Sequence, residues 1–173
     1  MGAFITNFQA PREMDELICC YEEEASNIDF LLDFEEYEDI YWTVPSYAEK
    51  GDLVFFLCAK TSVDKIKHVR RIARKEADKD LLDFIEDQVE KYEKYAGKIM
   101  AIGVVNDEPY TESGDVDVKP DGRSRWYANI EEIKLIKEPI EISRLSEHIK
   151  INAYGAITKL DETQVEMIIN CIK

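Results

Sequence analysis

The chain has 173 residues, 45% of them hydrophobic and 34% charged, with a formal net charge of −15. That is enough apolar material for one core over 1–173, the usual length of a single domain, and too much for a disordered chain. The acidic surplus excludes indiscriminate binding to phosphate backbones, because the summed field repels them.

No apolar run approaches the roughly 18 to 20 residues that span a bilayer, and MGAFITNFQAPRE lacks the basic start and small-residue cleavage site of a secretory signal. The expectation is no membrane and a cytoplasmic location. AFITNF at 3–8 reads as a first strand, partly alternating, and Pro11 suits the first turn of a helix running to about Ser26. Met14, Leu17, Ile18 and Tyr21 recur at spacings of three and four and so predict one buried face on that helix. DFLLDFEEYED at 29–39 mixes acids with aromatics and is read as a short helix. IYWTV is then a strand stopped by Pro45, and GDLVFFLC carries the continuous apolar run of a central strand covered on both sides.

From Ser62 to Ala96 the period turns helical, with Ile66, Val69, Ile72 and Ala73 in one piece and Leu81, Leu82, Ile85, Val89 and Tyr92 in a second. KIMAIGVVN at 98–106 returns to strand, and Gly103 marks a bulge or a close approach of another backbone. A polar loop over 107–124 leads into SRWYANIEEIKLI, one long or bent strand, after which Pro139 and ISRLSEHI predict a short helical turn. Asp161 and Gln164 have the spacing of a capping box ahead of Val165, Ile168, Ile169 and Ile172, which predicts a closing helix. Strands split by helices without regular βαβ alternation imply an α+β fold on a small mixed or barrel-like sheet.

Charge is unevenly spread. Residues 1–59 hold 2 Lys or Arg against 14 Asp or Glu, residues 60–100 hold 11 against 9, and residues 101–173 hold 9 against 14. In DKIKHVRRIARK the apolar stripe leaves Lys67, Arg70, Arg71, Arg74 and Lys75 to spread over the remaining surface, an arrangement that tracks phosphates or, in the plainer reading, pairs with the acids of 22–39. Cys19, Cys20, Cys58 and Cys171 show no CxxC spacing, so reduced thiols and no structural metal are expected. His68 and His148 sit on separate elements, so no Ser-His-Asp or Cys-His arrangement assembles, and no catalytic residue and no cofactor are assigned.

Taken in order, YW at 41–42, a short loop, GD followed by VFF, IMAIGVV, RWYANI and EPIEISRL resemble the EVE domains of the PUA-like superfamily, relatives of the YTH readers, across most of residues 40–172. The resemblance implies a PUA-like mixed β pseudo-barrel with surrounding helices and a helical insertion near 62–96. It also implies a pocket at the ends of the central strands that receives a modified base of DNA or RNA. One departure is plain: where the family commonly ends the strand after GD in a Tyr-His-Ser-like run, this chain has Leu57, Cys58 and Ala59. The matching pocket positions are Trp42, Tyr47, Cys58, Ala59, Lys60, Thr61, Arg125, Trp126 and Tyr127, with Trp42 and Trp126 as the stacking walls. Either tryptophan also reads as core, and Cys58 as a small buried hydrophobe.

Three functions stay open on this basis. The first is a reader of a modified base; the second an acidic module or nucleic-acid mimic that engages a basic partner through 13–39; the third a PUA-like hydrolase or transferase acting on nucleic acid or nucleotides through Cys58 or Lys60.

Overall fold

A computed structural model describes residues 1–111, 125–152 and 156–172. Along it run β1 (Ala3–Phe8), α1 (Met14–Glu22), α2 (Asn27–Leu32), a 3-10 turn (Phe34–Glu36), β2 (Tyr41–Val44), β3 (Leu53–Cys58), α3 (Ser62–Glu76), α4 (Lys79–Tyr95), β4 (Lys98–Val105), β5 (Trp126–Glu141), a second 3-10 turn (Ile142–Leu145), β6 (Ile157–Lys159) and α5 (Glu162–Cys171). The strands form a curled, half-barrel sheet of six in the order β2-β5-β4-β3-β1-β6. β1 and β3 run parallel and the other pairings are antiparallel. The class is α+β, as the element order implies. No helix among the described residues is long and apolar enough to cross a membrane.

β3 shows why the greasiest stretch of the chain is needed. Its side chains alternate between two cores: Val54, Phe56 and Cys58 join residues from α1 to α4, while Phe55 and Leu57 join Leu145, Ile149 and Ile168 on the other side. Both faces are dry, so no polar position survives in the strand. The Gly-Asp ahead of it is structural. Gly51 takes φ +96°, which a side chain resists, and the Asp52 carboxylate accepts from the Gly2 amide at 2.7 Å and the Glu49 amide at 2.9 Å. One carboxylate thereby ties the start of β1 to the loop that feeds β3.

Curvature comes from β5, whose first four residues pair with β2 while the remainder pairs with β4. Register slips twice along β4 and β5. At one slip Gly103 faces Glu132, which adopts φ +51°, and a Cβ on Gly103 would lie 2.6 Å from Ile130 Cγ2. The bulge itself lies on β5, where Glu132 and Ile133 oppose the single Gly103, and what crowds the glycine is the side chains of Ile130, Ile133 and Phe56 rather than the other backbone that the sequence suggests. At the other slip β5 carries Pro139, which sits between the Leu135/Ala101 and Ile140/Ile99 pairs and so breaks no regular ladder bond. Strand continues through this proline to Glu141, and the expected short helical turn follows at once as the 3-10 turn Ile142–Leu145.

Three sequence expectations need correction. The first helix spans Met14–Glu22 rather than Pro11 to Ser26, because three successive glutamates meet the negative end of the helix dipole, no base offsets them, and Glu24 reverses the chain at φ +60°. Of its expected buried face only Leu17 is fully covered; Met14 and Tyr21 are half-buried and Ile18 is exposed. The helix read over 29–39 instead begins at Asn27 behind a Ser26/Asp29 capping box and passes into the 3-10 turn. The short β6 has no counterpart in the sequence reading. Most of the expected polar loop, 112–124, lies outside the described residues. The closing helix starts as expected, with Asp161 accepting from Gln164 N and Gln164 Oε1 accepting from Asp161 N.

Candidate functional site

Register places the two tryptophans on one face of the sheet. Trp42 pairs with Ala128 and Val44 with Trp126, so alternation turns Trp42, Val44, Ala128 and Trp126 inward and Tyr41, Thr43 and Tyr127 outward. Trp42 lies across the interior: 8% of its surface is exposed, its indole N–H donates to Thr6 Oγ1 at 3.0 Å, and Phe8 and Phe56 stand edge-on to it with centroids 5.7 and 5.0 Å away. So placed, the ring offers no free face to a guest and serves as a core pillar. Trp126 is half-buried at the very end of β5, packs against the same core, and follows the exposed Arg125.

The remaining pocket positions divide between opposite ends of the sheet. Cys58, Ala59, Lys60 and Thr61 lie where β3 ends, alongside Gly97, whose amide donates to Cys58 O. Trp126 lies beyond the Val105/Ile130 pair, at the end where β3 begins. Tyr47, in the loop that leaves β2 beside Trp126, is 55% exposed with the Lys159 ammonium 5.2 Å over its ring. Cys58 and Ala59 are buried, while Lys60 and Thr61 are exposed. Burial pushes the Cys58 thiol up to about 12 from 9.0, a rise only partly offset by Ser62. Burial of this kind disfavours the thiolate that nucleophilic attack needs.

Outside the sheet face, sequence reasoning missed a ring cluster. Tyr41, 54% exposed, stands edge-on to Tyr110 at 6.2 Å, and Tyr110 lies 6.4 Å from Tyr127. Tyr110 is brought there by an isolated bridge to Tyr127, a long-range pairing that local periodicity does not encode. His68 and His148 are exposed on separate elements, and no group of His, Cys, Asp and Glu among the described residues is arranged to hold a metal ion.

The basic helix α3 is largely answered by its own hairpin partner. Lys67 pairs with Glu93 at 2.7 Å, and Arg70 and Arg74 share Glu86 at 3.2 and 3.1 Å. Acids of α4 therefore replace those of 22–39 as the expected partners. Arg71 and Lys75 are exposed and stand outside every ion pair found among the described residues.

Beneath α2 and α4 lies a buried polar knot. Asp29, 4% exposed, accepts from Ser26 N at 2.8 Å, Gln88 Nε2 at 2.8 Å and Lys91 Nζ at 2.7 Å, while Ser26 Oγ donates to Gln88 Oε1 at 2.6 Å. Every strong acceptor and donor in it is engaged internally, so it reads as a lock between helices. Two clefts open nearby: one of about 170 Å³ between the start of α1 and α2, lined by Ala10, Cys20, Ser26 and Phe30 among others, and one of about 240 Å³ between the Phe34–Ile40 segment and β5. Neither is lined by Trp42 or Trp126.

No family model and no curated protein matches the chain. Among solved structures it is similar to a protein from Pseudomonas putida determined by a structural genomics consortium, at 11% identity over 97% of each chain and a TM-score of 0.48.

Proposed function

We propose that the chain is a reader of the EVE/PUA-like kind, a pseudo-barrel that takes a modified base of DNA or RNA at the Trp126 end of its sheet. The observation that carries this reading is Trp126 itself: an inward-facing indole, half-open at the strand end, preceded by Arg125. The ordered EVE-like segments in the sequence support it. Stacking on the open half of the indole is worth roughly 1 to 3 kcal/mol per base, comparable with the few kcal/mol needed to extrude a base from a duplex. With one wall instead of two, the balance favours single strands and bases already unstacked. Arg71 and Lys75, two exposed cations of α3 not held by α4, supply the phosphate contacts of this scheme, and Arg125 the local charge beside the base.

A Trp42→Phe variant makes Trp126 the sole tryptophan and its emission a direct reporter. Titration with single-stranded oligonucleotides that differ only in one modified base should quench that emission for the modified strand and leave it unchanged for the plain one. Equal response to both strands, or undiminished binding in Trp126→Ala, defeats the proposal.

A further inference from the structure

The cleft of about 240 Å³ beside β5 has a chemistry of its own. Phe34, Tyr37, Ile40 and Ile133 supply its apolar wall, and Glu38, Asp39, Glu131 and Glu132 bring four carboxylates to the same lining. No lysine or arginine lines it, and none of these four acids belongs to an ion pair found among the described residues. Asp39 accepts from Asn129 Nδ2 at 3.2 Å and Glu131 from Asn106 Nδ2, neutral donors that leave both charges standing. Asn129 also lines the cleft, and its Nδ2 is spent on Asp39. The Tyr37 ring is held edge-on by Phe30 at 4.8 Å. Burial first, then the carboxylates of Asp29, Asp33 and Glu36, raise its phenol above the ordinary value, so it stays a neutral ring at physiological pH.

We infer that this cleft receives an arginine side chain from a basic segment of a partner protein. Its volume falls below the roughly 300 to 1,000 Å³ of small-molecule pockets and suits a single long side chain. An arginine offers an apolar stem for the isoleucines, a planar cation that stacks on an aromatic ring, and five N–H donors for the carboxylates. A polyanion is repelled by the same four charges. The positions involved, 34–40 from one segment and 129–133 from β5, are held side by side by the pairing of β2 with β5, which Ile130 N extends by donating to Ile40 O at 2.9 Å. The cleft shares no lining residue with the Trp126 end, and the inference does not rest on the base-reading proposal.

The test uses the full chain, labelled with ¹⁵N, and a short peptide carrying one arginine among glycine and lysine, beside the same peptide with citrulline in its place. Citrulline keeps the shape and removes the charge. Saturable amide shifts clustered at 34–40 and 129–133 are expected for the arginine peptide, with affinity roughly tenfold weaker for citrulline, the loss of one charge-assisted contact. The double variant Glu38→Gln and Glu132→Gln changes two exposed side chains that hold no hydrogen bond among the described residues, so folding is preserved and a similar loss is expected. Equal binding of the two peptides, unchanged binding by the double variant, or shifts spread evenly over the acidic surface overturns the inference. So does an oligonucleotide that shifts these amides when the peptide does not. Trp126→Ala should leave peptide binding intact, which separates a failure here from a failure of the reader proposal.

Discussion

Asp29 gives the sharpest energetic forecast, because its carboxylate is the acceptor on which α2 and α4 converge. Asp29→Ala leaves Gln88 Nε2 and the Ser26 amide, both buried, without an acceptor. Each orphaned donor costs about 1 to 3 kcal/mol. The ion pair adds less than the about 3 to 5 kcal/mol of a fully buried one, since the Lys91 side chain is 27% exposed and keeps Asp87 at 2.8 Å. With every term taken near its lower end the sum expected is about 3 kcal/mol, a large part of the about 5 to 15 kcal/mol that holds a domain together. With a urea slope of about 2 kcal/mol per molar, the unfolding midpoint should fall by about 1.5 M at unchanged slope. Asp29→Asn, which keeps an acceptor oxygen, should lose about half as much. A midpoint shift below about 0.5 M for Asp29→Ala would mean that water or neighbouring groups satisfy the orphaned donors, and the lock as described would be refuted.

Other outcomes follow from the same coordinates. Burial raises the Cys58 thiol to about 12 and burial with neighbouring charges raises Cys20 to about 11, both from 9.0. Folded values above unfolded ones mean that their contribution is complete below pH 9 and is lost as pH climbs toward 11 and 12, which thermal unfolding followed across alkaline pH will read. Against a maleimide at neutral pH, exposed Cys19 should label in the native protein while Cys58 labels only after unfolding, and early modification of Cys58 would contradict its packing. Gly103→Ala drives a methyl to 2.6 Å from Ile130 Cγ2 and should cost about 1 to 3 kcal/mol in urea unfolding. Glu86→Ala releases Arg70 and Arg74 together; if α3 touches phosphates, binding of a single-stranded oligonucleotide should tighten and its log–log salt slope should steepen by roughly 0.7 for each phosphate newly contacted.

The limits of sequence legibility show best at the two tryptophans. Their presence on strands follows from local composition; the pairing of the two strands, and which indole ends up under Phe8 and Phe56 and which stays half-open, do not. Burial of Trp42 depends on a hydrogen bond to Thr6, thirty-six residues away, and on the curl of β5 that swings β2 inward. Likewise the helical period of 62–96 foretells two helices, but not that Glu86 and Glu93 of the second would neutralise the cations of the first.

What the sequence determined alone is whatever depends on neighbours within a few residues: the continuous apolar run of β3, the Asp161/Gln164 cap, the Gly103 irregularity and the break between α3 and α4. Tertiary structure alone decided which side chains are spent inside and which face outward, so that Trp42 and Cys58 became core while Phe34, Tyr37 and four acids from two distant segments came to line one cleft. The physical reason is range. Backbone propensity, capping and periodicity act over one or two turns, whereas burial and charge pairing are set by strand register and sheet curvature, which join residues tens of positions apart.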